Sequence, residues 1–296
     1  MTAKNSSVTE PCALCDLHAH TNFSDGSLTP TELVVLAESV GLAAIALTDH
    51  NTIEGLPYFL RAGGGKSVRL IPGVEFSTEW HGIEIHVLAL GIKEEHYSAV
   101  RALVGEMRER KRLAAESLID ALIADGYVLD RNRLAEGAMG QINRAHVAME
   151  LVRCGYVLSR EVAFDTLLSK GGKYYHEAKM LDTIDTVEFI KSIGAVSVLA
   201  HPLLNVDKEQ LHLLLCDLCP VGLDAIEVIY SEYTDEESEL SAALAREFGL
   251  LPSGGSDFHG KNKPDICLGR GKGNLKIPLS FAINMGLIPQ RSNRNE

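Results

Sequence analysis

Apolar residues along this chain fall into short runs and helical stripes that take turns. Ala13 to Leu17 has the pattern of a short strand. Thr29-Pro30-Thr31-Glu32 is a capping box with proline at the first helical position. Leu33, Val34, Leu36, Ala37 and Val40 then form the inward stripe of a helix that stops at Gly41. Ala43 to Leu47, Val68 to Val74 and Ile83 to Leu90 predict three further strands.

The pattern changes from Glu94 to about Leu168, where strand signal is almost absent. Ala99 to Ala124 is a long charged helix pattern, and Asn143 to Cys154 is a second helix ended by Gly155. Strand and helix then alternate again. Helices are expected over Thr183–Ile193, Lys208–Leu218 and Glu236–Phe248. Strands are expected over Ala195–Leu199, Ala225–Ile229 and Leu251–Gly254. The predicted class is α/β, with residues 13–92 and 171–289 forming one domain and 93–170 a helical insertion. A length of 296 residues fits one large domain carrying an insertion.

The formal net charge of −12 argues against a long basic track for duplex nucleic acid. A small anionic substrate remains compatible, because bound cations dominate their local field. The run Arg108 to Arg112 fits a solvated helix face. Met1 to Pro11 lacks the apolar centre of a signal peptide, and no apolar run approaches the roughly 20 residues that span a bilayer. The expectation is a cytoplasmic protein with no membrane association and no obligate protein partner. The six cysteines include two C-x-x-C pairs, Cys12/Cys15 and Cys216/Cys219. A four-cysteine zinc site is one reading. Cys15 opens a strand and Cys216 lies in a helix, which favours ordinary thiols in a reduced compartment.

The candidate chemistry sits at the ends of the predicted strands. His18 and His20, His50, Glu75, His201 and Asp257 each fall at or just past a strand C-terminus. In a βα barrel those ends converge on one face, where active sites form. Asp25, His86 and His259 join them. Alone, His86 would read as a satisfied core histidine and Asp25 as a turn residue before Gly26; in this company both become ligand candidates. Nine imidazole and carboxylate candidates are too many for one ion. They suit two or three divalent ions, with Glu75 as the bridging carboxylate, and the donor set favours Mn, Fe or Zn. Such a cluster lowers the pKa of a bridging water, so the nucleophile is hydroxide and no side chain is needed for attack. Period-two geometry puts Asp16 on the face of His18 and His20, where it either orients an imidazole or makes a strand-end hydrogen bond. Asp49 stands beside His50 as a further supporting carboxylate.

The segments Asp16-Leu-His-Ala-His-Thr-Asn-Phe-Ser-Asp-Gly-Ser-Leu-Thr-Pro and Leu47-Thr-Asp-His-Asn-Thr-Ile-Glu-Gly, with Glu75, His86, Ala200-His201-Pro202 and Ser256-Asp257-Phe258-His259, resemble the PHP (polymerase and histidinol phosphatase) superfamily. The resemblance covers about residues 14–90 and 195–275. It implies a distorted (β/α)7 barrel with a trinuclear centre. His18, His20, Glu75 and Asp257 would hold one ion, Asp25, His50 and Glu75 the second, and His86, His201 and His259 the third. The helical insertion resembles the branch that dephosphorylates nucleoside 3′,5′-bisphosphates or trims short RNA from its 5′ end. Asn143-Arg144-Ala145-His146 matches that branch's phosphate-binding Arg-Pro-His element, with Ala145 in place of proline. Asn51 stands where aspartate is usual.

The resemblance therefore implies a metal-dependent phosphoesterase acting on small phosphorylated nucleotides or short single-stranded RNA. Arg144 and His146 would grip a second phosphate, Arg144 as a bidentate fork. Lys173, beside Tyr174 and Gly171-Gly172, is a further phosphate candidate. Taken without the family, Arg144 and His146 read as a surface arginine and a solvated histidine. Two rival readings stand: a histidinol-phosphatase-like or other small-molecule phosphomonoesterase, and a metal-binding module without turnover.

Overall fold

Short polar side chains start several helices and fix where the chain turns back toward the sheet. Thr29 accepts from the Glu32 N–H, and Glu32 accepts from the Thr29 N–H. The same reciprocal pair recurs at Asp207/Gln210 and Thr234/Glu237, and left-handed Gly222 and Gly249 end the helices those pairs begin.

The computed structural model describes residues 13–137, 142, 144–169, 171–175 and 180–289. The elements in chain order are β1 (Cys15–Asp16), α1 (Pro30–Ser39), β2 (Ala44–Leu47), α2 (Leu56–Ala62), β3 (Arg69–Trp80), β4 (Ile83–Leu90), α3 (Tyr97–Ala124), α4 (Arg131–Gly137), α5 (Arg144–Arg153) and α6 (Arg160–Asp165). There follow β5 (Leu181–Asp182), α7 (Thr183–Ser192), β6 (Val196–Ala200), α8 (Lys208–Val221), β7 (Ala225–Tyr230), α9 (Asp235–Phe248), β8 (Leu251–Gly255) and α10 (Leu279–Asn284). The described residues divide into two compact units. One runs up to Arg101 and resumes at Leu181; the other is Ala102–Met180.

In the first unit the sheet order is β1-β2-β3-β4-β6-β7-β8, with β5 beside β3. The β1/β2, β2/β3, β6/β7 and β7/β8 ladders are parallel, whereas β4 is antiparallel to both neighbours. The sheet nearly closes into a barrel. Beyond β1, Leu17 N–H donates to Gly254 O and His20 N–H to Phe258 O, while Asp257 N–H donates to His18 O. Cys15 N–H donates to Ile277 O at the other end of the same edge.

β1 is shorter than its sequence reading, β5 is additional, and β3 is longer. β3 does not stop at Val74 but runs on to Trp80 and pairs with β4 in a hairpin. His81 and Gly82 make the turn, both at positive φ, which suits the twist of a two-residue hairpin loop. The polar residues Glu75, Ser77 and Glu79 hid this extension from an apolar-run reading. Inside the barrel, Cys15, Leu17, Ala44, Ala46, Ile71, Leu88, Leu90, Val198 and Ala200 pack with Ala282 and Met285 from the α10 segment. This apolar plug leaves the opposite end of the barrel to polar groups.

In the second unit every described element is helical. Its core joins Leu118, Ile119 and Leu122 of α3 to Val147, Ala148 and Leu151 of α5, with Ala163, Leu168 and Tyr174. No helix among the described residues is long and apolar enough to cross a membrane.

Candidate metal centre

Six strands deliver polar side chains to one end of the barrel. His18 and His20 follow β1, His50 follows β2, His201 follows β6, and Asp257 and His259 follow β8. Glu75 and His86 come from within β3 and β4. The expected placement of Glu75 at a strand end is therefore corrected. It sits where the parallel pairing with the β2 segment ends, at the His50/Glu75 bridge, while the strand itself continues. Glu75 is fully buried and central. Its Oε1 lies 2.8 Å from His86 Nδ1 and 3.1 Å from His201 Nε2. Its Oε2 lies 3.1 Å from His18 Nε2, 3.2 Å from His20 Nε2 and 3.0 Å from His50 Nδ1. Asp257 Oδ1 lies 3.1 Å from His20 Nε2, and Asp25 Oδ1 3.1 Å from His259 Nε2. Asp25 is more than half exposed and His50 a quarter exposed, so the cluster opens to solvent on their side.

Four overlapping groups have ligand atoms mutually within 4.8 Å: His20/Asp25/His50/His259, His18/Glu75/His201, His18/His20/Asp257 and His50/Glu75/His86. All nine candidates are brought together. His259 lies with Asp25, His20 and His50 in one of these groups, and His86 and His201 each share a different group with Glu75. His50 Nδ1, Glu75 Oε2 and His259 Nε2 are buried without a hydrogen-bond partner among the described residues. Two of these atoms, His50 Nδ1 and Glu75 Oε2, are 3.0 Å apart without hydrogen-bond geometry. Buried polar atoms that crowd together without satisfying one another are what a cation would satisfy.

Electrostatics agree. Burial pushes Glu75 up, but His18, His50 and His86 outweigh it and hold the carboxyl well below the usual range. Burial likewise opposes ionisation of Asp257, and His18 and His20 overcome it. Burial depresses the His20 imidazole, yet the adjacent Asp257 and Glu75 carboxylates raise it to about 9; burial likewise opposes charge on His86, and Glu75 and Glu84 raise it to about 10. Without a metal, the buried carboxylates thus favour positive charge on His18, His20 and His86.

Residues 16–147 match the PHP domain. A 5′-3′ exoribonuclease of Haemophilus influenzae is 34% identical over 245 residues, covering 82% of this chain and 89% of that protein. The chain belongs to the PHP family. A 3′,5′-nucleoside bisphosphate phosphatase of Chromobacterium violaceum is 32% identical over 254 residues, 82% of this chain and 86% of the relative. A solved structure from Bifidobacterium adolescentis, described as a candidate metal-dependent phosphoesterase, matches at TM-score 0.67 and 27% identity, over 95% of this chain and 98% of that one. The PHP chain is thus a metal-dependent phosphoesterase.

Supporting residues in the PHP barrel lock the cluster. Asp49 accepts from Thr21 N–H (2.7 Å), Thr21 Oγ1 (2.6 Å) and Ser24 Oγ (2.7 Å), and so holds the loop that carries Asp25. Asp16 accepts from Ser256 N–H, Ser256 Oγ and Gly269 N–H. It ties the Ser256–Asp257 segment to β1 and touches no imidazole, so the strand-end hydrogen bond is the correct one of its two readings. Asn51 takes φ 50° and exchanges two hydrogen bonds of 3.0 Å with Ser77, fastening the His50 loop to β3. Gly255 cannot be replaced freely, since an added Cβ would lie 2.1 Å from His18 Cβ.

Three supporting residues escaped the sequence reading: Glu227, Tyr230 and Lys263. Tyr230 Oη (2.9 Å) and Lys263 Nζ (2.7 Å) donate to Asp257 Oδ2, leaving Oδ1 for the cluster. Glu227 contacts His18 Nδ1 at 3.0 Å. A carboxylate inside the otherwise apolar run Ala225–Tyr230 was the available signal for Glu227.

The phosphate candidates lie in the helical unit. Arg144 is the first residue of α5; it donates to Leu168 O (3.3 Å) and sits over the rings of Tyr175 (4.9 Å) and Phe164 (5.6 Å). His146 is on the same first turn. Lys173 and the Tyr174 hydroxyl both bind the Asp125 carboxylate. Of the C-x-x-C residues, Cys15, Cys216 and Cys219 are free thiols, and Cys12 lies outside the described residues.

Proposed function

We propose that this phosphoesterase acts on small phosphorylated nucleotides, namely nucleoside 3′,5′-bisphosphates and short 5′-phosphorylated RNA. His18, His20, Asp25, His50, Glu75, His86, His201, Asp257 and His259 would hold two or three ions of Mn, Fe or Zn. The observation that carries the reading is Glu75, whose two oxygens serve two different sets of imidazoles. When bound, the ions acidify a water molecule and polarise phosphoryl oxygens. The protein's own part is positional. Buried Glu75 and Asp257 set the spacing of the imidazoles, and Asp49 holds the loop of Asp25 at the solvent-facing rim. In this reading a substrate phosphate enters on the Asp25/His50 side. Arg144 and His146 are the candidate residues for a second phosphate, Arg144 through its planar fork. Lys173 already faces Asp125 and contributes less. The activities of the relatives from H. influenzae and C. violaceum support this substrate class.

Purified protein supplied with Mn²⁺ should release phosphate from adenosine 3′,5′-bisphosphate or shorten a 5′-phosphorylated oligoribonucleotide from its 5′ end. Failure with both substrates defeats the proposed class. Turnover of histidinol phosphate alone would favour the monoesterase reading.

A further inference from the structure

We propose that Glu227 is a positioning residue that selects which ring nitrogen His18 offers to the metal cluster and fixes His201 beside it. The proposal rests on the ligand assignment given above. Glu227 is fully buried on β7. Its carboxylate reaches two different strand ends. Oε1 lies 3.0 Å from His18 Nδ1, and Oε2 accepts the His201 backbone N–H at 2.7 Å.

The His201 N–H can only donate to Glu227 Oε2, and in the proposed arrangement a ring N–H of His18 sits on Nδ1, where it donates to Oε1 and completes the pair. In the metal-loaded protein that tautomer would offer the Nε2 lone pair to the cluster, on the side where Nε2 lies 3.1 Å from Glu75 Oε2. A neighbouring carboxylate commonly fixes the tautomer of a ligating imidazole in this way. The second contact has a separate purpose. His201 adopts φ 28° and ψ 47°, a left-handed conformation unusual for a residue with a side chain. The short bond from its N–H to Glu227 holds that conformation and aims Nε2 at Glu75 Oε1, 3.1 Å away.

Glutamine at this position has the same shape but one acceptor and one donor. If its oxygen faces His201 N–H, its NH₂ faces His18 Nδ1. That nitrogen must then accept, and the ring proton moves to Nε2, where it blocks the lone pair. If the amide is reversed, two donors confront each other at His201. A residue that merely filled space would tolerate this isosteric change.

The test uses the full chain, wild type and Glu227→Gln, stripped with a chelator and reloaded with Zn²⁺ alone. Bound zinc per chain is counted, and affinity is measured by competition with a chromogenic chelator. The expected result is a roughly 10- to 100-fold weaker site in Glu227→Gln, with an unchanged circular dichroism spectrum. Equal zinc content and affinity in the two proteins would overturn the proposal. Wild type that takes up no zinc overturns the ligand assignment instead, so the two failures are distinguishable. A measurement on wild type covers the case in which the variant does not fold. In ¹⁵N-histidine-labelled, zinc-loaded protein, the His18 ring should carry its proton on Nδ1. A proton on Nε2 refutes the proposal.

Discussion

Glu75 Oε1 and His86 Nδ1 lie 2.8 Å apart, although the two residues are not partners across the β3/β4 hairpin. Glu75 stands opposite Leu88, and His86 opposite Ser77. The contact is diagonal, on one face of the sheet, and it exists because β3 continues past its parallel neighbour into an antiparallel pair. The barrel thereby gains an imidazole from a strand running the other way, and one carboxylate becomes the hub of five histidines.

Glu75→Gln removes that hub. It leaves the buried imidazoles without their shared anion. Metal content should fall by at least one ion per chain, and activity by more than the roughly 100-fold typical of losing an outer partner. Elemental analysis alongside phosphate release checks this; full metal occupancy in the variant would contradict the bridging assignment.

Metal-free protein should show a particular pH dependence. His20 and His86 have folded-state values of about 9 and about 10, against an ordinary 6.5, so the folded state binds their protons more tightly. Their contribution to stability is full below pH 6.5 and is lost as pH rises through 9 to 10. Asp25, held down to about 2 because His259 and His50 outweigh its burial, contributes above its ordinary 3.8 and loses that contribution as pH falls through 2. Thermal melts of chelated protein should therefore decline between pH 6.5 and 10. Metal binding, which displaces the imidazole protons, should tighten over the same interval. A flat melting temperature across it would rule this account out.

Asn51→Ala should destabilise the protein by about 1–3 kcal/mol, because alanine tolerates φ 50° poorly and cannot bond Ser77. Asn51→Asp should be milder, since Oδ1 can still accept from Ser77 N–H (3.0 Å). Denaturant melts of the two variants give the comparison, and equal losses would show that the backbone conformation is not the cause.

Arg144→Ala should separate substrates. A charged hydrogen bond is worth about 1.5–3 kcal/mol, so kcat/KM on a 3′,5′-bisphosphate should drop roughly 10- to 100-fold. A simple monoester should change much less. Equal losses on both would assign Arg144 to the architecture of its helix rather than to a second phosphate.

Much of this protein is legible along the chain. Local signals placed α1 from Thr29 and Glu32, because a capping box needs only four neighbouring residues. Short apolar runs located most barrel strands, and the recurring His, Asp and Glu at their ends named the nine candidates, since the ends of barrel strands meet by the logic of the fold. What tertiary structure alone decided was long-range. The extension of β3 depends on a partner strand, which a polar-looking run does not advertise. The task of Asp16 went to Ser256 and Gly269, 240 and 253 positions away. Glu227 is one acid in an otherwise apolar strand, and only folding sets it against His18 and His201. Periodicity encodes which face a side chain takes; only closure of the sheet determines which remote atom it meets there.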